Sequence, residues 1–248
     1  MQPSSPPHSD GDTRNQPMLI QNQHVAMPPK VISCKQIVVP TTIFNTQDAS
    51  VNNDSSLKMA VEVAKTWKPG STLSVSFIGR ANVPDAVIES VKEFAHIWSQ
   101  HGNIFFNFIG DGLVGLIRIS FTPGGGNCSA VGTDCQLKDF NGQYTMNLDP
   151  EEDINERSLQ SEEGKAVFRQ IVLHEFGHVL GCVHEHQQPK ANIKWDKDRV
   201  YTAFGGHSKK KRDLIDVNIF EHYPQNPAIV AGTEHDKDSI MHYEFTPT

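Results

Sequence analysis

His174-Glu175-Phe176-Gly177-His178-Val179-Leu180-Gly181-Cys182-Val183-His184-Glu185 holds three imidazoles, a carboxylate beside the first, and a glycine between the second and third. His174 and His178 are four residues apart, so on a helix they differ by about 40° around the axis and lie one turn apart. Zinc holds nitrogen ligands at about 2.0–2.1 Å, so donor atoms must converge to within about 3–4 Å of one another. An i, i+4 pair meets that demand. His184 could not join on a continuous helix, where it would sit roughly 15 Å further along the axis. The chain must therefore turn after Leu180, and Gly181 can take the positive φ that ends a helix at little cost. Three neutral imidazoles leave a fourth position for water, as in a catalytic rather than a closed structural zinc site. Unrelated histidines would rarely reproduce all these offsets at once.

Outward from this stretch, periodicity organises the chain. Residues 1–54 are rich in Pro, Ser, Asn, Gln and Asp, and are expected to be a largely disordered extension. Leu57 to Ala64 predicts a short helix ending before Lys68-Pro69-Gly70, and Leu73, Val75 and Phe77 alternate as a strand. Pro84 and Asp85 open a helix that buries Val87, Ile88, Val91, Phe94, Ala95 and Trp98 and stops at Gly102. Ile104–Ile109 and Leu113–Phe121 read as strands joined by a Gly110-Asp111-Gly112 hairpin turn. A glycine-rich loop follows Pro123, then a short strand at Tyr144–Leu148, then a helix from about Glu162 to Leu180 carrying the first two histidines. Few periodic stretches follow Gly181. The pattern is an α+β N-terminal half and an irregular C-terminal half, with the metal between them.

The 248 residues carry a formal net charge of −7, which argues against a nucleic-acid surface. Lys209-Lys210-Lys211-Arg212 reads as a solvated loop. No apolar run reaches membrane-spanning length, and the proline-rich first 30 residues lack the apolar segment of a signal peptide. Compartment and oligomeric state stay open. Cys128 and Cys135 suit a local disulfide in an oxidising compartment and free thiols in a reducing one.

His174-Glu175-x-x-His178-x-x-Gly181-x-x-His184-Glu185 resembles the metzincin zinc signature, with the glutamate after the third histidine as in its astacin form. Ser239-Ile240-Met241-His242-Tyr243 resembles the astacin Met-turn. The resemblance covers residues 55–248 as one zinc metallopeptidase domain. It implies a zincin-like α+β fold, with a twisted, mostly parallel sheet that has an antiparallel edge strand, an irregular C-terminal subdomain, and zinc in the cleft. It implies one catalytic Zn2+ ion on His174, His178 and His184, with Met241 as an apolar floor. The implied activity is that of a zinc-dependent endopeptidase acting on protein or peptide substrates. A zinc-activated water would attack, Glu175 would serve as general base, and Tyr243 would donate a hydrogen bond to the oxyanion. Substrate is expected along an edge strand at Tyr144–Leu148. Glu185 has two readings: the resemblance implies a carboxylate behind the metal site that contacts the new N-terminus after activation, as in astacins, and the residue alone reads as a surface carboxylate after a helix.

The chain also departs from the family. Phe108-Ile109-Gly110-Asp111 matches the form of the astacin inhibitory aspartate but falls between strands, and is read as a hairpin turn. Cys34 lies in no recognisable switch motif, the two-disulfide pattern of secreted astacins is absent, and the sequence given runs only five residues past Tyr243. The short stretch after Tyr243 and the lack of a signal peptide leave an alternative function, a catalytically inactive zinc- or peptide-binding module of the same fold, against which the retained Glu175 argues.

Overall fold

The structure, a computed structural model, describes residues 59–224, 230–231 and 234–243. The expected extension over residues 1–54, Cys34, and the first two residues of the helix expected from Leu57 lie outside these residues. The rest of that helix is replaced by a two-residue strand, β1 (Val61–Glu62), and a 3-10 turn at Val63–Lys65. Val61 and Val63 are β-branched, and the segment is captured by long-range pairing. Val61 bridges Cys182, Val183 N–H donates to the Ala60 carbonyl (2.9 Å), and Glu62 N–H donates to the Gly181 carbonyl (2.9 Å).

The alternating apolar residues at 73, 75 and 77 form β2 (Ser71–Phe77), followed by α1 (Asp85–His101), β3 (Ile104–Phe108) and β4 (Ile117–Ser120). The expected β3–β4 hairpin does not form. Both strands run parallel to β2, on its opposite sides. Their registers explain how a short connection suffices: Val75 pairs with the end of β3 at Phe108 and with the start of β4 at Ile117. The connection crosses β2, whose Ser76 and Ser74 hydroxyls accept the Gly115 and Leu116 N–H groups at 3.0 Å each. Gly115 is required there, since a Cβ would lie 2.8 Å from Ser76 N and 2.9 Å from Ser74 O. Asp111, exposed on this connection, pairs with Arg80 at 3.0 Å and plays no part in the histidine cluster.

Next come β5 (Cys128–Ser129) and β6 (Met146–Asn147), and the sheet order among the described residues is β3-β2-β4-β6-β5. All neighbours are parallel except β5, which is antiparallel to β6. The segment at Tyr144–Leu148 is thus not the edge strand. Its β6 core is covered on one side by β4 and on the other by β5, and Met146 and Asn147 are fully buried. The edge belongs to Cys128–Ser129, too short to leave a periodic signal. The Asp149 carboxylate and Asn147 amide hold the glycine-rich approach to it, accepting N–H groups from Gly126 (2.6 Å) and Thr122 (2.8 Å).

α2 (Glu162–Val179) is capped by Ser161, whose hydroxyl accepts the Gly164 N–H at 3.0 Å, and Glu162 and Glu163 suit the positive end of its dipole. Phe168, Ile171, Val172, Phe176 and Val179 form its buried stripe. Each such side chain contributes about 1.5–3 kcal/mol by leaving water. Phe176 meets Phe106 of β3 edge to face at 4.9 Å, and the Trp98 indole of α1 donates to the Leu173 carbonyl. The helix bearing the histidines is therefore seated on sheet and helix alike.

The C-terminal part holds more regular structure than its sequence suggests: α3 (Lys197–Ala203), α4 (Lys209–Ile215) with a π turn at Asp216–Phe220, and β7 (Val230–Ala231), which pairs with β1. Lys209 to Arg212 lie in α4 rather than in a loop, capped by Ser208 and exposed to solvent. Ile215, Ile219 and Tyr243 form a separate small core with Trp195, Val200, Tyr201, Phe204 and Phe220. Cys135 is a buried thiol, so no Cys128–Cys135 disulfide forms, and burial pushes its pKa up to about 12. Among the described residues no helix is long and apolar enough to cross a membrane.

Candidate metal centre

α2 carries His174 and His178 one turn apart in its last turns, both buried. The helix then stops in a Schellman arrangement. Gly181 adopts φ 97°, its N–H donates to the His178 carbonyl (2.9 Å), and the Cys182 N–H donates to the Gly177 carbonyl (3.0 Å). The extended chain beyond it, pinned against residues 60–62, doubles back and delivers His184. The potential ligand atoms of His174, His178 and His184 all lie within 4.8 Å of one another.

The hydrogen bonds decide which nitrogen faces inward. His174 Nδ1 donates to the Ile240 carbonyl (2.8 Å) and His178 Nδ1 to the Cys182 carbonyl (2.9 Å). His184 Nδ1 donates to Gln187 Oε1 (3.2 Å), since the Gln187 amide nitrogen is committed to the Val217 and Glu221 carbonyls. Burial drives the pKa of His174 down to about 4 and that of His178 down to about 3, and holds His184 well below the usual imidazole range. A neutral ring whose Nδ1 donates has a bare lone pair at Nε2. His178 Nε2 and His184 Nε2 therefore face each other at 3.2 Å with no proton between them, and His174 Nε2 is buried with no hydrogen-bond partner. Three convergent lone pairs are costly unless an electrophile takes them. These residues fit a zinc ion, with an oxygen acceptor behind each ring as metal-binding histidines usually have.

The Met-turn segment closes the centre from the other side. The Met241 carbonyl accepts the Glu185 N–H (3.0 Å), while the Ile240 carbonyl holds His174. Met241 is fully buried beneath α2 at Gly177, where an added Cβ would collide with its sulfur. Tyr243 is 3% exposed, its ring centroid 4.6 Å from that of His184 and 6.2 Å from that of His174. Glu175 follows His174 on α2 and is 1% exposed.

Glu185 is not a surface carboxylate. It is fully buried, accepts the backbone N–H groups of Ala60 (3.0 Å) and Asp236 (3.2 Å), and is bonded by the Gln188 amide. Burial raises its pKa, and these donors offset part of that rise. Sequence reasoning missed Gln187 and the carbonyls of Cys182 and Ile240. Gln187 leaves only the weak sign of a polar residue three positions after His184, and a carbonyl leaves none. Of the histidines without an expected role, His186 is buried and bonded to the Asn218 carbonyl, and His235 and His242 meet each other.

No protein-family model matches the chain, and no curated protein matches it in sequence. Solved structures do. One structure of myroilysin aligns at 34% identity over 75% of this chain and 84% of that one, with a TM-score of 0.61. A second myroilysin structure aligns at 28% identity over 87% and 78%, with a TM-score of 0.52. High choriolytic enzyme 1, a hatching enzyme zinc-protease from Oryzias latipes, aligns at 18% identity over 72% and 73% with a TM-score of 0.47, too distant to bear on the chemistry. With 34% identity along an alignment that covers 84% of a myroilysin chain, a mostly parallel sheet with an antiparallel edge and a buried triad able to hold zinc, this chain belongs to the astacin-like metzincin zinc metallopeptidases.

Proposed function

We propose that the protein is a zinc-dependent endopeptidase acting on protein or peptide chains, with a single catalytic zinc on His174, His178 and His184. The observation that carries this reading is the convergence of three Nε2 lone pairs, with the His174 nitrogen otherwise unpartnered. Bound there, zinc supplies Lewis-acid activation of water and polarises the scissile carbonyl. Glu175, adjacent to His174 and withdrawn from solvent, accepts the proton of the attacking water and returns it to the leaving amine. Tyr243, packed beside His184, donates its hydroxyl hydrogen bond to the developing oxyanion. Met241 supports the rings from below. The domain of this activity is residues 55–248.

The substrate main chain would pair with β5, the antiparallel margin of the sheet, rather than with Tyr144–Leu148. Cys128 and Ser129 are buried, so a substrate strand there takes the place of groups that now cover them.

The test is digestion of an unfolded protein by zinc-loaded enzyme and by Glu175→Gln. The variant is expected to keep its zinc and to lose turnover by about three orders of magnitude or more, because the proton acceptor is gone while every ligand remains. Equal activity in the two would sink the mechanism. Inactivity of both with zinc bound would favour a binding module that has lost turnover.

A further inference from the structure

Beyond the three clustered histidines, a second pair of imidazoles meets at the mouth of the Met-turn. His235 Nε2 and His242 Nε2 lie 3.0 Å apart, seven residues apart in sequence, and both rings are half-buried. The separation is close to the 3.2 Å between His178 Nε2 and His184 Nε2 in the triad. Two nitrogens on one tetrahedral zinc, at about 2.0–2.1 Å each, would stand about 3.3 Å apart. A shift of a few tenths of an ångström would admit the ion.

The tautomer of His242 is decided by its surroundings. Its Nδ1 lies 2.5 Å from the Tyr243 carbonyl, which can only accept, so Nδ1 carries the proton and the Nε2 lone pair points at His235. This is the arrangement seen at each ring of the triad: an oxygen behind Nδ1, a lone pair in front. His235 now supplies the hydrogen between the rings. It can move its proton to Nδ1 and offer a second lone pair with no net change in charge. Burial holds the pKa of His242 below the usual imidazole range, so its ring stays neutral, and the nearby Asp236 and Asp238 carboxylates act in the opposite sense, toward positive charge.

We propose that His235 and His242 form an auxiliary binding site for a divalent transition-metal ion, zinc in the first instance, distinct from the triad. Two protein nitrogens with water completing the shell make a weaker site than three. Its consequence is mechanical. Met241 and Tyr243 flank His242, and the Asp236 N–H is bonded to Glu185. An ion joining His235 to His242 would staple residues 235–242 into a closed loop and brace the turn beneath the triad.

The experiment starts from full-length, zinc-loaded protein dialysed against rising free Zn2+, with bound metal counted by elemental analysis. Wild type is expected to rise from about one ion per chain to about two, whereas His235→Ala stays near one throughout. His178→Ala is expected to lose the tight ion and still take up the weaker one, which separates this site from the triad. Thermal unfolding gives a second readout: excess zinc raises the melting temperature of the zinc-loaded wild type and leaves that of zinc-loaded His235→Ala unchanged. A wild type that stays at one ion, or a second ion that His235→Ala binds equally well, overturns the proposal; the first leaves the pair as a plain N–H···N hydrogen bond, the second an adventitious ion only.

Discussion

His174 and His178 ride on an 18-residue helix, whereas His184 stands on a segment with nothing more regular than the 3-10 turn at Glu185–Gln187. Both present Nε2 to the same point, but by different means. The helix holds its pair through backbone periodicity and a stripe of five buried apolar side chains from Phe168 to Val179, so placement is local and redundant. The segment after Gly181 is held by single polar ties to distant residues: the Ala60 carbonyl, the Met241 carbonyl, and the contacts of Glu185 and Gln187. A helical ligand inherits its position from a pattern. A loop ligand must have its position specified bond by bond, so the two halves should fail differently.

The largest effect is expected in the helical half, on function rather than on fold. His178→Ala removes one of the three proposed ligands, and the purified variant should contain no tightly held zinc and show no turnover, while its far-ultraviolet circular dichroism stays near wild type because alanine is the best helix former. Zinc at the wild-type level in that variant would refute the ligand set. Next is the tied half. Glu185→Ala strands the buried backbone donor of Ala60 and the partly buried one of Asp236. Loss of about 3 kcal/mol or more is expected in urea unfolding. Glu185→Gln keeps acceptor capacity and should recover part of that loss; equal destabilisation by the two would mean that charge, not hydrogen bonding, is what matters. The smallest effect falls on the junction between the halves. Gly181→Ala forces a side chain onto φ 97° and brings Cβ to 3.3 Å from Thr66 Cγ2. A cost of about 1–2 kcal/mol is expected. It should appear as weaker zinc retention against a chelator, because His184 moves while the α2 histidines do not. Unchanged retention would show that the ties, not the glycine, set the turn.

Legibility followed the same division. The boundaries of α1 and α2 were readable because 3.6-residue periodicity and their ends (Pro84 and Gly102, Gly181) agree. The histidine offsets were readable because helix geometry relates residues four apart. The strand of residues 61–62 was misread as helix because its pairing partners, Cys182 and β7, are more than a hundred residues away. Gly110-Asp111-Gly112 looked like a hairpin because local turn chemistry cannot reveal that Ser74 and Ser76 capture the chain on its way across β2. The edge strand was assigned to Tyr144–Leu148 because that stretch alternates visibly, while Cys128–Ser129 offers two residues and no period.

The amino-acid sequence by itself determined the chemistry of the centre: three imidazoles at helix and turn spacing, a carboxylate beside the first, and a methionine and a tyrosine in a second motif. Those are properties of residue type and short offset, and short offsets translate into geometry wherever a helix or a glycine turn forms. Only the tertiary structure decided which nitrogen of each ring faces inward, which strand forms the margin of the sheet, that Glu185 is buried, and that His235 faces His242. Each of these depends on a hydrogen-bond partner supplied from a remote part of the chain, and such partners, often backbone carbonyls, leave no mark on the residues they bind.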